Sequence, residues 1–334
     1  GALQLICGSA RGILDHVNYQ DVVTFTGSAK TGRMLKSHPN ILNHSVPFNM
    51  EADSLNCSLL GPEASPQTEE FSIFIKEVAK EITVKAGQKC TAIRRTIIPE
   101  QYTEEVMKAL TERLKKTVVG EPNTEGVRIG PLASLAQKEE VLSRIEELQK
   151  SCELIFGPKD FDIKGGDKIK GAFISPTLLY CDKPFDKTDV HDIEAFGPVT
   201  TLIPYKSSDE AITLANMGRG SLCGSVISTD KQFIQDSVLG LAPSHGRIVV
   251  INRDCHKEST GHGSPMPQLV HGGPGRAGGG EEMGGLRGVF HYMQRTAIQG
   301  HPTTIGQITN VYQPGGERKE SLVHPFKKTF HQLE

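Results

Sequence analysis

No stretch of this chain gathers the Lys and Arg needed to follow a phosphate backbone, and its formal net charge is −2. General nucleic-acid affinity is therefore not expected. No apolar run reaches the roughly 18 residues that would span a bilayer, and the first residues lack the basic head and apolar middle of a secretion signal. The seven cysteines, Cys7, Cys57, Cys90, Cys152, Cys181, Cys223 and Cys255, form no Cys-x-x-Cys pair. Neither a zinc site nor a redox disulfide is expected, no metal is called, and a reducing cytoplasm is the simplest compartment. GxGxxG, a P-loop and internal repeats are also missing. So is an initiator Met. The chain opens Gly1-Ala2-Leu3-Gln4-Leu5-Ile6-Cys7, which reads as a strand already under way, so the expectation is an excerpt with sequence missing upstream.

What is present is a regular alternation. A chain of 334 residues with 37% hydrophobic content can bury one large or two ordinary cores. Short apolar runs at 3–7, 21–26, 45–50, 94–98, near 154, 173–179, 200–205, 223–228 and 247–252 read as strands. Between them, helices are expected at Phe71 to Ile82, from Thr103, from Ser134 to about Lys150, from a Ser208 cap to Asn216, and at Asp230 to Leu239. Residues 164–171 read as hairpin-like. Strands alternating with helices over this length imply an α/β architecture with a largely parallel sheet.

Within that frame a few residues carry chemistry. Phe71, Phe74, Ile75, Val78, Ala79 and Ile82 recur at three- and four-residue steps and form one buried helix face. Gly87 stands where such a helix should stop, and Cys90 follows in Gly87-Gln88-Lys89-Cys90-Thr91-Ala92. A thiol near a helix is most simply a small buried hydrophobe, and Lys89 reads more simply as a solvated surface lysine than as a cation that helps to ionise the thiol. Upstream, a strand runs into Gly27-Ser28-Ala29-Lys30-Thr31-Gly32-Arg33. This turn before a helix offers free N–H groups at a positive helix end, suited to a phosphate, although an ordinary strand–helix turn reads the same way. Glu51-Ala52-Asp53-Ser54 closes the next strand, where two acids commonly serve as caps or solvated surface. Downstream lies Glu194-Ala195-Phe196-Gly197-Pro198-Val199. Eleven glycines fall between Gly261 and Gly288, too interrupted by Pro and Arg for a plain linker, so a long functional loop is expected. Val289 to Ile298 alternates partly and reads as a strand.

Taken in order, these motifs resemble the aldehyde dehydrogenase superfamily. Val23 to Ser28 followed by Gly32 is similar to its cofactor-phosphate turn, Glu51 to its general base, Cys90 to its nucleophile, and Glu194 with Phe196 to the motif that holds the nicotinamide ribose. Met50 to Asn56, Cys90 to Arg95, Lys257 to Pro265 and Gln268 to Gly280 further resemble one subgroup. It is the dehydrogenase half of bifunctional ring-opening proteins of aerobic phenylacetate degradation. The resemblance covers nearly the whole chain but only the later part of the family's sequence. Two departures are plain. The family's Leu-Gly-Gly after the base is here Ala52-Asp53-Ser54, and the spacing from Glu51 to Cys90 is slightly long.

The resemblance implies an aldehyde dehydrogenase-like fold. Residues 1–53 are the end of a partial dinucleotide-binding domain, and 54–255 form a complete thiol-bearing catalytic domain. Residues 256–290 make a Gly-rich loop near the substrate entrance, 291–300 an oligomerisation strand, and 301–334 a tail toward a hotdog-fold hydratase domain. It implies a homo-oligomer that uses NADP, or NAD, to oxidise a CoA-thioester semialdehyde through a Cys90 thiohemiacetal and thioester; Glu51 helps to hydrolyse the thioester and could first assist in forming the thiolate. The oxyanion Asn and the residues selecting NADP over NAD would lie outside this chain. Three alternatives stay open. Free CoA instead of water could resolve the thioester, the chain could be a catalytically silent interaction fragment, or Cys90 could serve a cysteine hydrolase with one of the twelve histidines.

Overall fold

The computed structural model describes residues 3–317 apart from Ser9, Pro158, Lys159, Pro267, Val270 and Met283. The chain divides into two compact units, 1–288 and 289–334.

In the first unit, β1 (Val23–Thr26), α1 (Ala29–Lys36), α2 (Pro39–Asn43) and β2 (Phe48–Glu51) come first, with β1 and β2 paired in parallel. There follow β3 (Cys57–Leu60), α3 (Glu69–Thr83), β4 (Arg95–Pro99), α4 (Thr103–Lys115), β5 (Val119–Gly120), α5 (Leu135–Leu148), β6 (Glu153–Phe156), β7 (Ile163–Lys164) and β8 (Thr177–Tyr180). Next are α6 (Asp189–Asp192), β9 (Val199–Tyr205), α7 (Ser208–Asn216), β10 (Ser221–Ile227), α8 (Lys231–Leu241) and β11 (His245–Ile251). β12 (His271–Gly272) and β13 (Glu281–Glu282) form a small antiparallel pair in the Gly-rich segment, and α9 (Gly285–His291) follows.

The main sheet has seven strands in the order β11-β10-β3-β4-β9-β8-β6, all parallel except β6. Successive side chains on a strand point to opposite faces. Leu60, Ile98, Leu178, Leu202 and Ile227 therefore meet the apolar faces of α3 and α4, including Phe74, Ile82, Leu110 and Leu114. Their neighbours Leu59, Ile97, Leu179, Ile203 and Val226 pack with Val141, Ile145, Leu214 and Leu241 on the other side. A sheet covered on both faces explains why its strands read as continuous apolar runs.

Several expected boundaries move for local reasons. Pro176 and Pro47 cannot donate to a ladder, so these strands begin at Thr177 and Phe48. Ser207, not Ser208, caps α7. Residues 163–164 pair in parallel with β5 and make no hairpin. Residues 3–7 form no strand, and Leu3 and Leu5 are exposed; a strand needs a ladder partner, and none among the described residues supplies one.

The expected strand at 289–298 is also corrected. α9 takes its start, and 294–299 have no regular structure. Leu286, Val289, Phe290 and Met293 recur at three- and four-residue steps, a helical period that wins locally over the alternation of Phe290, Tyr292, Thr296 and Ile298. The second unit also holds α10 (Pro302–Thr309), capped by the His301 ring and closed by left-handed Asn310. The tail from Arg318, with His324 to Lys328, lies outside the described residues. Among the described residues, no helix is long and apolar enough to cross a membrane.

Candidate functional site

β2 delivers Glu51 at its last position, buried to 2% exposure. Cys90 arrives from another direction. Thr68 caps α3 by accepting from the Phe71 N–H, and the apolar stripe seats the helix on the sheet. After α3 the chain reverses through three consecutive left-handed residues, Lys85 and Ala86 at φ 54° and Gly87 at φ 70°. Only glycine serves at the third: an added methyl would run into the Gly197 carbonyl oxygen. The turn is then pinned from below. Asn56 Nδ2 donates to the carbonyls of Cys90 (2.7 Å) and Ala92 (3.0 Å), and its Oδ1 accepts from Cys223 N. Cys90 is half-buried, at the amino end of β4.

A third residue joins them from the Gly-rich segment. His271 Nε2 stands 3.8 Å from Glu51 Oε2. One donor atom each of Glu51, Cys90 and His271 lies within 4.8 Å of the other two. The loop that carries His271 is stitched to β2. Gly280 N donates to Met50 O, Ala52 N to Ala277 O, and Asn49 bonds the Glu281 backbone in both directions. A thiol, a carboxylate and an imidazole thus converge from three elements, with proton donors and acceptors matched for nucleophilic and acid–base chemistry.

Glu194 and Phe196 frame the next part. The Glu194 carboxyl accepts from Ser54 N (3.2 Å) and faces Arg94 Nε at 3.5 Å. Burial pushes its pKa up to about 7, against the pull of Arg94 and with a further push from Asp53. Arg94 also donates to Gly197 O and Gly87 O and lies 5.4 Å from the centre of the Phe196 ring. One buried guanidinium therefore ties the Cys90 turn to the Glu194–Val199 motif. Half-exposed Phe196 borders a cleft of about 670 Å³, whose wall includes Lys85, Gln88, Arg128 and Gln137.

Gly27, Ser28 and Gly32 lie together at the β1–α1 turn. Ser28 caps α1 through the Thr31 N–H, and Gly32 leaves room for the Met50 side chain, which a methyl would strike. The departure from Leu-Gly-Gly is felt here. Asp53 Oδ1 accepts from Ala29 N at 2.9 Å, so a carboxylate already serves one amide of the helix end. Arg276 Nη2, 3.7 Å from Asp53, offsets that charge.

Lys89 is corrected. It is not a solvated surface lysine; its ammonium sits 2.6 Å from buried Glu81, with the side chain 15% exposed. His271, Asn56, Arg94 and Arg276 lay within segments that carried the resemblance but were given no individual role. Their contacts join residues far apart in the chain, and the only local signal was that His271 and Arg276 punctuate the Gly-rich run.

The family model for aldehyde dehydrogenases matches residues 1–298. A 3,4-dehydroadipyl-CoA semialdehyde dehydrogenase of Aromatoleum evansii is 46% identical over 275 residues, 82% of this chain and 53% of that protein. Protein MaoC of Klebsiella aerogenes is 47% identical over 207 residues, covering 62% of this chain and 60% of that protein. The chain thus spans little more than half the length of these curated relatives. Betaine aldehyde dehydrogenase of Staphylococcus aureus, solved in complex with NAD+, shares the fold at TM-score 0.69 and 24% identity, over 82% of this chain and 52% of that one. With the family model matched across nearly nine-tenths of its residues, this chain belongs to the aldehyde dehydrogenase family.

Proposed function

We propose that this chain is the dehydrogenase portion of a longer, oligomeric protein that oxidises a CoA-linked semialdehyde to its carboxylate with NADP during phenylacetate-type aromatic breakdown. Cys90 is its nucleophile and Glu51 its base. The observation that carries the reading is the convergence of Cys90 and Glu51, from separate elements, to donor atoms within 4.8 Å. The Aromatoleum relative's name supports the substrate class. The Klebsiella relative, of which this chain covers 60%, supports a longer parent protein.

The residues present fit the cofactor. Gly27, Ser28 and Gly32 would hold its phosphates at the end of α1, and Glu194, beside Phe196, would accept from a hydroxyl of its nicotinamide ribose. When bound, NADP supplies the hydride acceptor.

The chain's own groups do the rest. The Cys90 thiolate adds to the aldehyde carbon, making a thiohemiacetal whose oxyanion the Cys90 backbone N–H holds; one such donor contributes on the order of 3–4 kcal/mol. Loss of hydride from that carbon leaves a thioester on Sγ. Glu51 then takes a proton from the water that attacks the thioester, releasing the carboxylate and restoring the thiol. A buried carboxylate beside the thiol supports water, not free CoA, as the resolving nucleophile.

In the full-length protein, Cys90→Ala should lower aldehyde-dependent NADPH formation by roughly a thousandfold or more while leaving hydratase activity intact. Undiminished NADPH formation overturns the nucleophile assignment.

A further inference from the structure

We propose that His271 is a catalytic residue, the acceptor of the Cys90 thiol proton. The inference rests on the reading of Cys90 as nucleophile and names the group that activates it. A thiol is a weak nucleophile until it loses its proton, and an adjacent imidazole is the commonest means of removing it. Of the twelve histidines, His271 brings a donor atom within 4.8 Å of donor atoms on both Cys90 and Glu51.

The placement is built in. His271 is 6% exposed and pairs in register with Glu282, and the adjoining Gly272 pairs with Glu281. β12 is pressed against β11 so closely that a methyl on Gly246 would strike the Gly272 carbonyl. The glycines on either side let an imidazole-bearing backbone lie flat against β2 and β11.

The charges around this pair point the same way. Glu51, on β2, faces the imidazole at 3.8 Å and favours its protonated form. On the thiol's side, Arg94 lies close enough to Cys90 to sense its charge. Lys89 is engaged by Glu81, and on β11 His245 and Arg247 are turned to Leu241 O and His262 O. These neighbouring basic groups thus have other partners, and the proton acceptors beside the thiol are Glu51 and His271. The S–H bond breaks and an N–H bond forms on the imidazole, directly or across one water. The electron pair stays on sulfur, and the imidazolium rests against Glu51. The proton returns to sulfur when the thioester is cleaved, which leaves Glu51 to serve the hydrolytic water.

The test reads the thiol alone, without aldehyde or cofactor. Alkylation of Cys90 by iodoacetamide, with Cys90→Ala as the background, is followed from acid to alkaline pH in the wild type, His271→Gln and His271→Phe. The expected result is fast alkylation of the wild type near neutral pH. Both variants should react at least tenfold more slowly there and converge on the wild-type rate in alkali, with melting temperatures unchanged. Superimposable profiles overturn the proposal. A loss of equal size at every pH, or one that tracks a lowered melting temperature, also overturns it in favour of a packing role. Failure of the wild type to oxidise any aldehyde, with the alkylation profiles still divergent, would remove the dehydrogenase reading and leave the Cys90–His271 pair standing.

Discussion

Glu51 is fully enclosed and Glu194 only slightly exposed, yet their surroundings suit them to different work. Glu51 ends a strand and faces His271 and the thiol; Glu194 sits between Ser54 N and Arg94. Glu51→Gln should preserve addition of Cys90 and loss of hydride but stall hydrolysis, giving a single burst of NADPH followed by slow turnover. Steady turnover at the wild-type rate in stopped-flow absorbance counts against the base role. Glu194 should show itself in pH dependence. Its carboxyl, ordinarily ionised above about 4.5, holds its proton to about 7 in the fold because burial outweighs the nearby Arg94. The folded state therefore binds more protons between those values, and stability from this group is full below about 4.5 and declines as pH rises toward 7. In the ribose-holding role proposed for Glu194, a hydroxyl would donate to the ionised form, so cofactor affinity should move oppositely and rise through about pH 7. In Glu194→Gln, NADP affinity measured by fluorescence titration should stay flat across that range; a slope equal to wild type refutes the assignment.

α3 and its turn act as one device. The helix supplies a platform through Phe74, Val78 and Ile82, all fully buried, and the left-handed run Lys85-Ala86-Gly87 converts the helix end into a reversal that aims Cys90 back at Glu51. A non-glycine left-handed residue costs about 1–2 kcal/mol, and the chain holds two in a row here. Gly87→Ala adds a third and drives a methyl into the Gly197 carbonyl. It should lower unfolding free energy by more than about 2 kcal/mol in urea titrations and reduce activity further than stability alone explains, because the same shift moves Cys90. A variant with wild-type stability and rate would show that the turn is looser than its contacts imply.

At the scale of the whole molecule, Arg95 links the layers. Fully buried in β4, it donates to Leu55 O (2.9 Å), Leu214 O (2.7 Å) and Ala215 O (2.7 Å), joining the sheet to the C-terminal carbonyls of α7. Burial lowers its pKa to about 10, so the guanidinium stays charged at neutral pH. A cation at a helix C-terminus is favourable, and its removal takes a charged donor from three carbonyls, of which Leu55 O and Ala215 O keep Ser221 Oγ and Gly218 N. Arg95→Met should cost about 1–3 kcal/mol of stability, measured by urea unfolding at pH 7; a loss under about 1 kcal/mol would mean that water or repacking replaces it.

The alternation of apolar runs was enough to determine the α/β class, most of the main-sheet strands and the α3 platform, because periodicity and turn chemistry are local. Cys90, Glu51, the Gly27-Ser28 turn and Glu194 were legible as an ordered set of motifs, each tied to its own short segment. What local pattern could not decide was pairing. A strand exists only with a neighbour, so 3–7 and 289–298 looked like strands and are not. An exposed-looking lysine, Lys89, is neutralised by Glu81, eight positions earlier on the buried side of α3. Above all, His271 reaches Glu51 across 220 positions of chain because Asn49, Gly280 and Ala277 sew the Gly-rich loop to β2. Residue types and their order therefore set which groups are available for chemistry, and long-range packing decides which of them meet.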